Sequence, residues 1–185
     1  MILARRARPR KTVEDFMNLP EGSRAELIDG ELFRSPSPQR PHQRVSGKLF
    51  RKLADFIEAR GLGEVYYAPF DVHLPSGDIV EPDLLFVAQA NLGIVQQWVR
   101  GTPDLVIEIL SAPDGIARDR IVKRDLYAKN GVREYWIVDP EARTIEVFVH
   151  CDGKYEPEGF FESGDSLVSP LLTELRLPVV EVFAS

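Results

Sequence analysis

Apolar positions along this chain change period, and the changes mark out its elements. Val45, Leu49, Leu53, Phe56 and Ile57 recur three and four residues apart. That spacing predicts a helix over residues 42–60 with one apolar face, stopped by Gly61. Before it, Thr12 with Glu14 and Asp15 predicts a short capped helix over residues 12–19, ended by Pro20-Glu21-Gly22. Two short runs, 25–28 and 31–33, flank Asp29-Gly30, the residue pair favoured in a two-residue hairpin turn. Ser35-Pro36-Ser37-Pro38 reads as a loop.

After Gly61 the period falls to two. Phe70, Val72 and Leu74 alternate with Asp71 and His73, predicting a strand over residues 64–74. Residues 79–87 predict a second strand, with Pro82 marking a bulge or an edge position. A short helix or loop is expected around 91–100. Asp104-Leu105-Val106-Ile107-Glu108-Ile109-Leu110 is nearly continuous apolar sequence, the signature of a strand buried on both faces. A helix over 115–130, ended by Gly131, leads to another buried strand at 134–139. A turn at 140–143 leads to a strand at 144–150. Short strands and loops are expected beyond. This order predicts one α/β (α+β) domain over residues 12–185: a central mixed β-sheet flanked by helices, with an N-terminal helix and hairpin in front.

Composition narrows the setting. The chain has 185 residues, 44% hydrophobic and 28% charged, and net charge −6. That is the profile of a water-soluble globular domain, and the net charge argues against indiscriminate nucleic-acid binding. Arg5, Arg6, Arg8, Arg10 and Lys11 gather in a basic arm over residues 1–11, either a solvated flexible terminus or a phosphate-seeking one. No apolar run suits a membrane span, and the N-terminus lacks a secretory pattern. The single cysteine, Cys151, cannot form an internal disulfide or build a cysteine zinc site, so a reducing, cytoplasmic location is expected.

Chemistry is expected where polarity breaks the apolar pattern. Glu108 interrupts a buried strand, so its carboxylate should be paired, hydrogen-bonded or metal-bound. Asp83 does the same after Pro82, and adjacent strands would bring the two acids together. Two such oxygen donors suit Mg²⁺ or Mn²⁺, which can activate water and offset phosphate charge. A structural salt bridge is the alternative. Lys123 lies amid Ile116, Leu126 and Tyr127, with Asp119 one turn earlier. It either snorkels, pairs with Asp119, or serves a polar site beside the core. His42 begins the long helix at the edge of its apolar face. Glu26, Asp29 and Glu31 add carboxylates in the hairpin, with Glu31 beside the turn as the candidate to approach the site. Arg44, Lys48 and Arg51 (with Lys52) form a basic stripe on the helix, solvated or in contact with a nucleic-acid backbone.

As a set, these strings carry a resemblance: Ala25-Glu26-Leu27-Ile28-Asp29-Gly30-Glu31-Leu32, His42-Gln43, Glu81-Pro82-Asp83-Leu84, the run from Pro103 through Glu108 to Ser111, Lys123 with Tyr127, Gly131-Val132, and Glu134-Tyr135-Trp136-Ile137-Val138-Asp139-Pro140. Together they resemble the Uma-type family of restriction-endonuclease-like proteins, within the PD-(D/E)xK nuclease superfamily, over residues 12–149. The resemblance implies Asp83 as the first acid and Glu108 as the second. The superfamily lysine is replaced here by Leu110, and Lys123 on the following helix is the expected substitute.

The leading expectation is therefore a Mg²⁺- or Mn²⁺-dependent endonuclease acting on DNA. Asp83 and Glu108 would hold the metal, Lys123 would stabilise the phosphate or position water, and His42 and Glu31 would support them. The alternative is a catalytically inactive nuclease-fold protein that binds nucleic acid or a protein partner. The apolar segment around 171–183 is either core or an interface for self-association.

Overall fold

The structure is a computed structural model that describes residues 9–34, 37–111 and 113–184. Arg5, Arg6 and Arg8 of the basic arm, and Ser35-Pro36 of the expected loop, lie outside these residues. Helix α1 (Val13–Met17) is capped by Thr12 as expected, and the cap is a capping box in which Asp15 N–H donates to the Thr12 hydroxyl. Strands β1 (Ala25–Ile28) and β2 (Glu31–Arg34) close the hairpin with Ile28 opposite Glu31. Asp29 and Gly30 take φ of 48° and 73°, as a two-residue turn of this hand requires. Helix α2 (Arg40–Glu58) buries His42, Val45, Leu49, Leu53 and Ile57 on one face.

The strands that follow divide between two sheets. Residues 64–74 form β3 (Gly63–Tyr67) and β4 (Val72–His73), and residues 79–87 form β5 (Ile79–Val80) and β6 (Leu84–Ala88). Each expected strand is thus two. Pro82 marks neither an edge nor a bulge but a crossing between sheets: with no N–H to give a ladder, it ends one pairing just before the next begins. The region around 91–100 holds a 3₁₀ helix (Gln89–Ile94) and then β7 (Val99–Arg100).

Strand β8 (Leu105–Ile109) is wholly buried. The next helix runs as α3 (Pro113–Ala117), a π-helical stretch (Arg118–Lys123) and α4 (Arg124–Lys129). The regular helix expected here is therefore widened in its middle, which leaves Ile121 and Val122 exposed while Asp119 and Lys123 are buried. Strands β9 (Glu134–Asp139), β10 (Thr144–Cys151) and β11 (Lys154–Phe161) complete the larger sheet. A small pair, β12 (Ser166–Leu167) and β13 (Leu177–Pro178), precedes helix α5 (Val179–Phe183).

The larger sheet has six strands in the order β11-β10-β9-β8-β6-β3, with β8 parallel to β9 and the other pairs antiparallel. The smaller has five, in the order β2-β1-β5-β4-β7. Alternation along the central strands sends Leu84, Phe86, Leu105, Ile107 and Trp136 to one face, against α2 and α5. Leu85, Val87, Val106, Tyr135 and Ile137 go to the other, against Tyr127 of α4 and the smaller sheet. Leu172, Leu175, Leu177, Val179 and Val182 are buried in the α2 core, so the C-terminal apolar segment is core rather than an open interface. Among the described residues, no helix is long and apolar enough to cross a membrane.

Leu53 is fully buried between α2 and the sheet. Leu53→Ala is expected to destabilise the fold by about 2–5 kcal/mol, read from urea denaturation midpoints. An unchanged midpoint would mean that α2 is not anchored through this face.

Candidate active site

The site follows from register. Leu84 pairs with Ile107 across the antiparallel β6–β8 ladder, so the next step outward sets Asp83 beside Glu108. The Asp83 carboxylate is tied there twice. Its Oδ2 accepts the N–H of Ile109 at 2.7 Å, and its Oδ1 lies 3.0 Å from Nε2 of buried His42. The first contact satisfies a β8 amide just where the backbone partner of β6 has ended.

Glu108 is 3% exposed and faces the π-helical stretch. Its Oε1 accepts from Lys123 Nζ at 2.9 Å and from the Tyr127 hydroxyl at 2.7 Å. Lys123 Nζ also lies 2.8 Å from Glu26 Oε1 on β1 and 3.7 Å from Asp119 Oδ1. One buried ammonium thus meets three carboxylates from both sheets and its own helix. Glu26 Oε1 further accepts the N–H of Glu81 at 3.1 Å. Among the described residues its Oε2 is buried without a hydrogen-bond donor, 3.7 Å from the guanidinium of Arg118.

Electrostatics here are set by burial and crowding. Burial raises the Glu108 carboxyl well above its ordinary range; Lys123 opposes this, and Asp119, Asp83 and Glu26 add to it. Burial also pushes Asp119 up to about 6, again against Lys123. Burial works against the Lys123 cation, but Glu108, Glu26 and Asp119 overcome it and hold the pKa well above its ordinary value. Lys123 therefore stays charged while acids around it hold protons to higher pH.

Glu26, His42, Asp83, Glu108, Asp119 and Lys123 line a cavity of about 230 Å³, together with Arg24, Arg34 and Arg118. Of the residues singled out from sequence, Asp83, Glu108, Lys123 and His42 meet in this cleft. Glu31 does not. It is exposed beside the hairpin turn, and Glu26, three residues inward from that turn on β1, is the hairpin acid in the cleft. Arg44, Lys48 and Arg51 do not line the cavity either. Lys48 donates to the carbonyl of Ala184 and Lys52 pairs with Glu181, so the stripe is partly tied to the C-terminal segment, while Arg44 and Arg51 stay exposed. Sequence reasoning missed Arg24, Arg118 and the inward role of Glu26 and Asp119. The signal for Glu26 was an acid amid the apolar Ala25, Leu27 and Ile28, the same kind of break that marked Glu108.

A mixed sheet flanked by helices, with two acids side by side on neighbouring strands, is the restriction-endonuclease-like architecture that the sequence led us to expect. The chain belongs to the Uma2 family, described as "Putative restriction endonuclease", which matches residues 13–180. It is similar in fold to the crystal structure of a putative nuclease belonging to DUF820 from Anabaena variabilis ATCC 29413. That likeness has TM-score 0.77 and 20% identity, and covers 94% of this chain and 97% of that one. No curated protein matches the chain.

The donor set fits a hard divalent cation. Asp83 and Glu108 offer adjacent carboxylates, the surrounding acids repel one another, and Glu26 keeps an unpartnered buried oxygen. Among the described residues, no set of three acidic, histidine or cysteine side chains is arranged to hold a metal ion by itself.

The raised Asp119 carboxyl has a consequence for stability. Between pH about 4 and 6 the folded chain holds a proton there that the unfolded chain, at the ordinary 3.8, has lost. Stability from this group therefore falls as pH rises through that window. Asp119→Asn removes the loss, so its urea midpoint relative to wild type is expected to climb from pH 4 to 7. A flat or falling difference would overturn the burial account.

Proposed function

We propose that this chain is a metal-dependent endonuclease that hydrolyses phosphodiester bonds in DNA. The observation that carries the reading is the adjacency of Asp83 and Glu108 across the β6–β8 ladder, with the Lys123 ammonium 2.9 Å from Glu108. Asp83 and Glu108 would hold Mg²⁺ or Mn²⁺. When bound, such an ion lowers the pKa of water and offsets charge on the phosphate.

The chain's own groups do the rest. His42 and the Ile109 amide fix the Asp83 carboxylate, and the Tyr127 hydroxyl fixes that of Glu108. Lys123 presents its charge to a non-bridging phosphate oxygen or orients the attacking water. Glu26 and Asp119 keep it charged and aimed. Arg24, Arg34 and Arg118 in the lining would draw the DNA backbone toward an otherwise acidic cleft. Water oxygen bonds to phosphorus, the bond from phosphorus to the sugar oxygen breaks, and that oxygen leaves with a proton.

A second reading, a nuclease fold without catalysis, draws on one observation. Leu110 stands where the superfamily lysine is expected and is buried in the core, while Lys123 is already engaged by three carboxylates. The assay separating the two uses purified protein, Mg²⁺ or Mn²⁺, and plasmid or single-stranded DNA. Cleavage is expected with metal and not with EDTA. Asp83→Asn and Glu108→Gln are expected to abolish it, and Lys123→Met to slow it by roughly 10²–10³-fold. Cleavage that survives in Asp83→Ala and Glu108→Ala would sink the assignment. Salt-sensitive DNA binding without cleavage would favour the second reading.

A further inference from the structure

Beside the cleft lies a groove of about 540 Å³ that shares Arg24, Pro38, His42 and Asp83 with it. Its other walls are Gly47 and Phe50 of α2, and Tyr67 with Pro69 after β3. We propose that this groove seats an unpaired nucleobase of single-stranded DNA, stacked on Tyr67, next to the phosphate that the carboxylate cleft receives. The proposal rests on the nuclease reading above and adds the form of the substrate.

Three observations carry it. Tyr67 is 57% exposed, although a large aromatic side chain usually buries its ring. Phe50 packs against it at 4.6 Å between ring centres, at 71° between planes. That contact holds the Tyr67 ring in place and leaves much of its surface open to the groove.

The second observation is Gly47. Glycine inside a 19-residue helix costs stability relative to alanine and leaves the backbone bare on that side. Among the described residues, a Cβ at Gly47 would meet nothing within 4 Å, so the helix surface there is open. Its bare surface faces the groove, where a ligand can approach the helix backbone.

The third is continuity. A groove of this size suits a small organic group such as a base. The same Arg24 and Asp83 line both the groove and the cleft, so a base in the groove would leave its own phosphate beside the cleft. In a duplex both faces of each base are covered by its neighbours. Only an unpaired or extruded base offers a face to an isolated tyrosine.

The test measures binding in EDTA, where no cleavage is expected, by fluorescence anisotropy of labelled oligodeoxythymidylate. Tyr67→Ala should weaken binding by about 5- to 150-fold and Tyr67→Phe should keep it near wild type. Gly47→Leu, which fills the groove from a helix position with open space, should weaken binding comparably while its urea midpoint holds or rises. The losses should vanish on an abasic oligonucleotide. Equal affinity of wild type and Tyr67→Ala, equal losses on the abasic strand, or no binding by wild type would each overturn the proposal. Cleavage with Mg²⁺ or Mn²⁺ runs in parallel. Cleavage of single strands with no dependence on Tyr67 would remove the groove and keep the nuclease. Tyr67-dependent binding without cleavage would do the reverse.

Discussion

The ammonium of Lys123 is the contact on which the site depends. It lies 2.8 Å from Glu26 on β1, 2.9 Å from Glu108 on β8 and 3.7 Å from Asp119 on its own helix. Those carboxylates come from the smaller sheet, the larger sheet and the crossover helix that joins β8 to its parallel neighbour β9. A single buried cation thus fixes where three elements meet. Removing it would leave three acids in a poorly solvated space, and removing any one acid would shift the balance for the other two. The widened helical stretch Arg118–Lys123 serves this arrangement, since it turns Asp119 and Lys123 inward together and leaves two apolar side chains in solvent.

The second constraint is the crossing at Glu81-Pro82-Asp83. β5 ends at Val80 in one sheet and β6 begins at Leu84 in the other. Because pairing stops at the proline, Asp83 has its side chain free to take over the Ile109 amide as an acceptor. The same crossing brings the Glu81 amide onto Glu26. The acid pair is therefore a product of chain topology as much as of local sequence: the residue that carries the chain between sheets is also the one that faces Glu108.

How far this was legible in the sequence differs by element. The hairpin was readable from its Asp29-Gly30 turn, and α2, β8 and β9 because their burial follows simple patterns, period 3.6 for α2 and continuous burial for the central strands. Glu108 and Asp83 were readable as carboxylates interrupting apolar runs. The division of residues 64–74 and 79–87 between two sheets was not, because each half is too short to show its own period. β11 was hidden for a different reason. Lys154–Phe161 is polar, with Pro157 and Gly159, and it pairs at the sheet edge through a register shift opposite Val147 and Phe148. Glu31 and Glu26 show the limit of distance along the chain. Both lie in the hairpin, but strand alternation and the direction of β1 decide which one reaches the cleft, and only the pairing of β1 with β5 sets that direction.

Stability alone is a poor explanation for this cleft. Ion clusters taken out of water gain little over apolar side chains of similar size, and often lose. Here burial raises Glu108 and Asp119 out of their ordinary range, and Glu26 retains a buried oxygen without a donor. Elsewhere the same sheet is packed with Leu, Ile, Val and Trp, so an apolar filling was sterically available. Acids kept at such a place, opened to a cavity that three arginines also line, suit the ligand of the proposed reading, one that brings both positive and negative charge. A phosphodiester accompanied by a divalent cation has that character. On the proposed reading the acidic net charge of the chain is no obstacle, because local arginines would meet the phosphate and a cation the carboxylates.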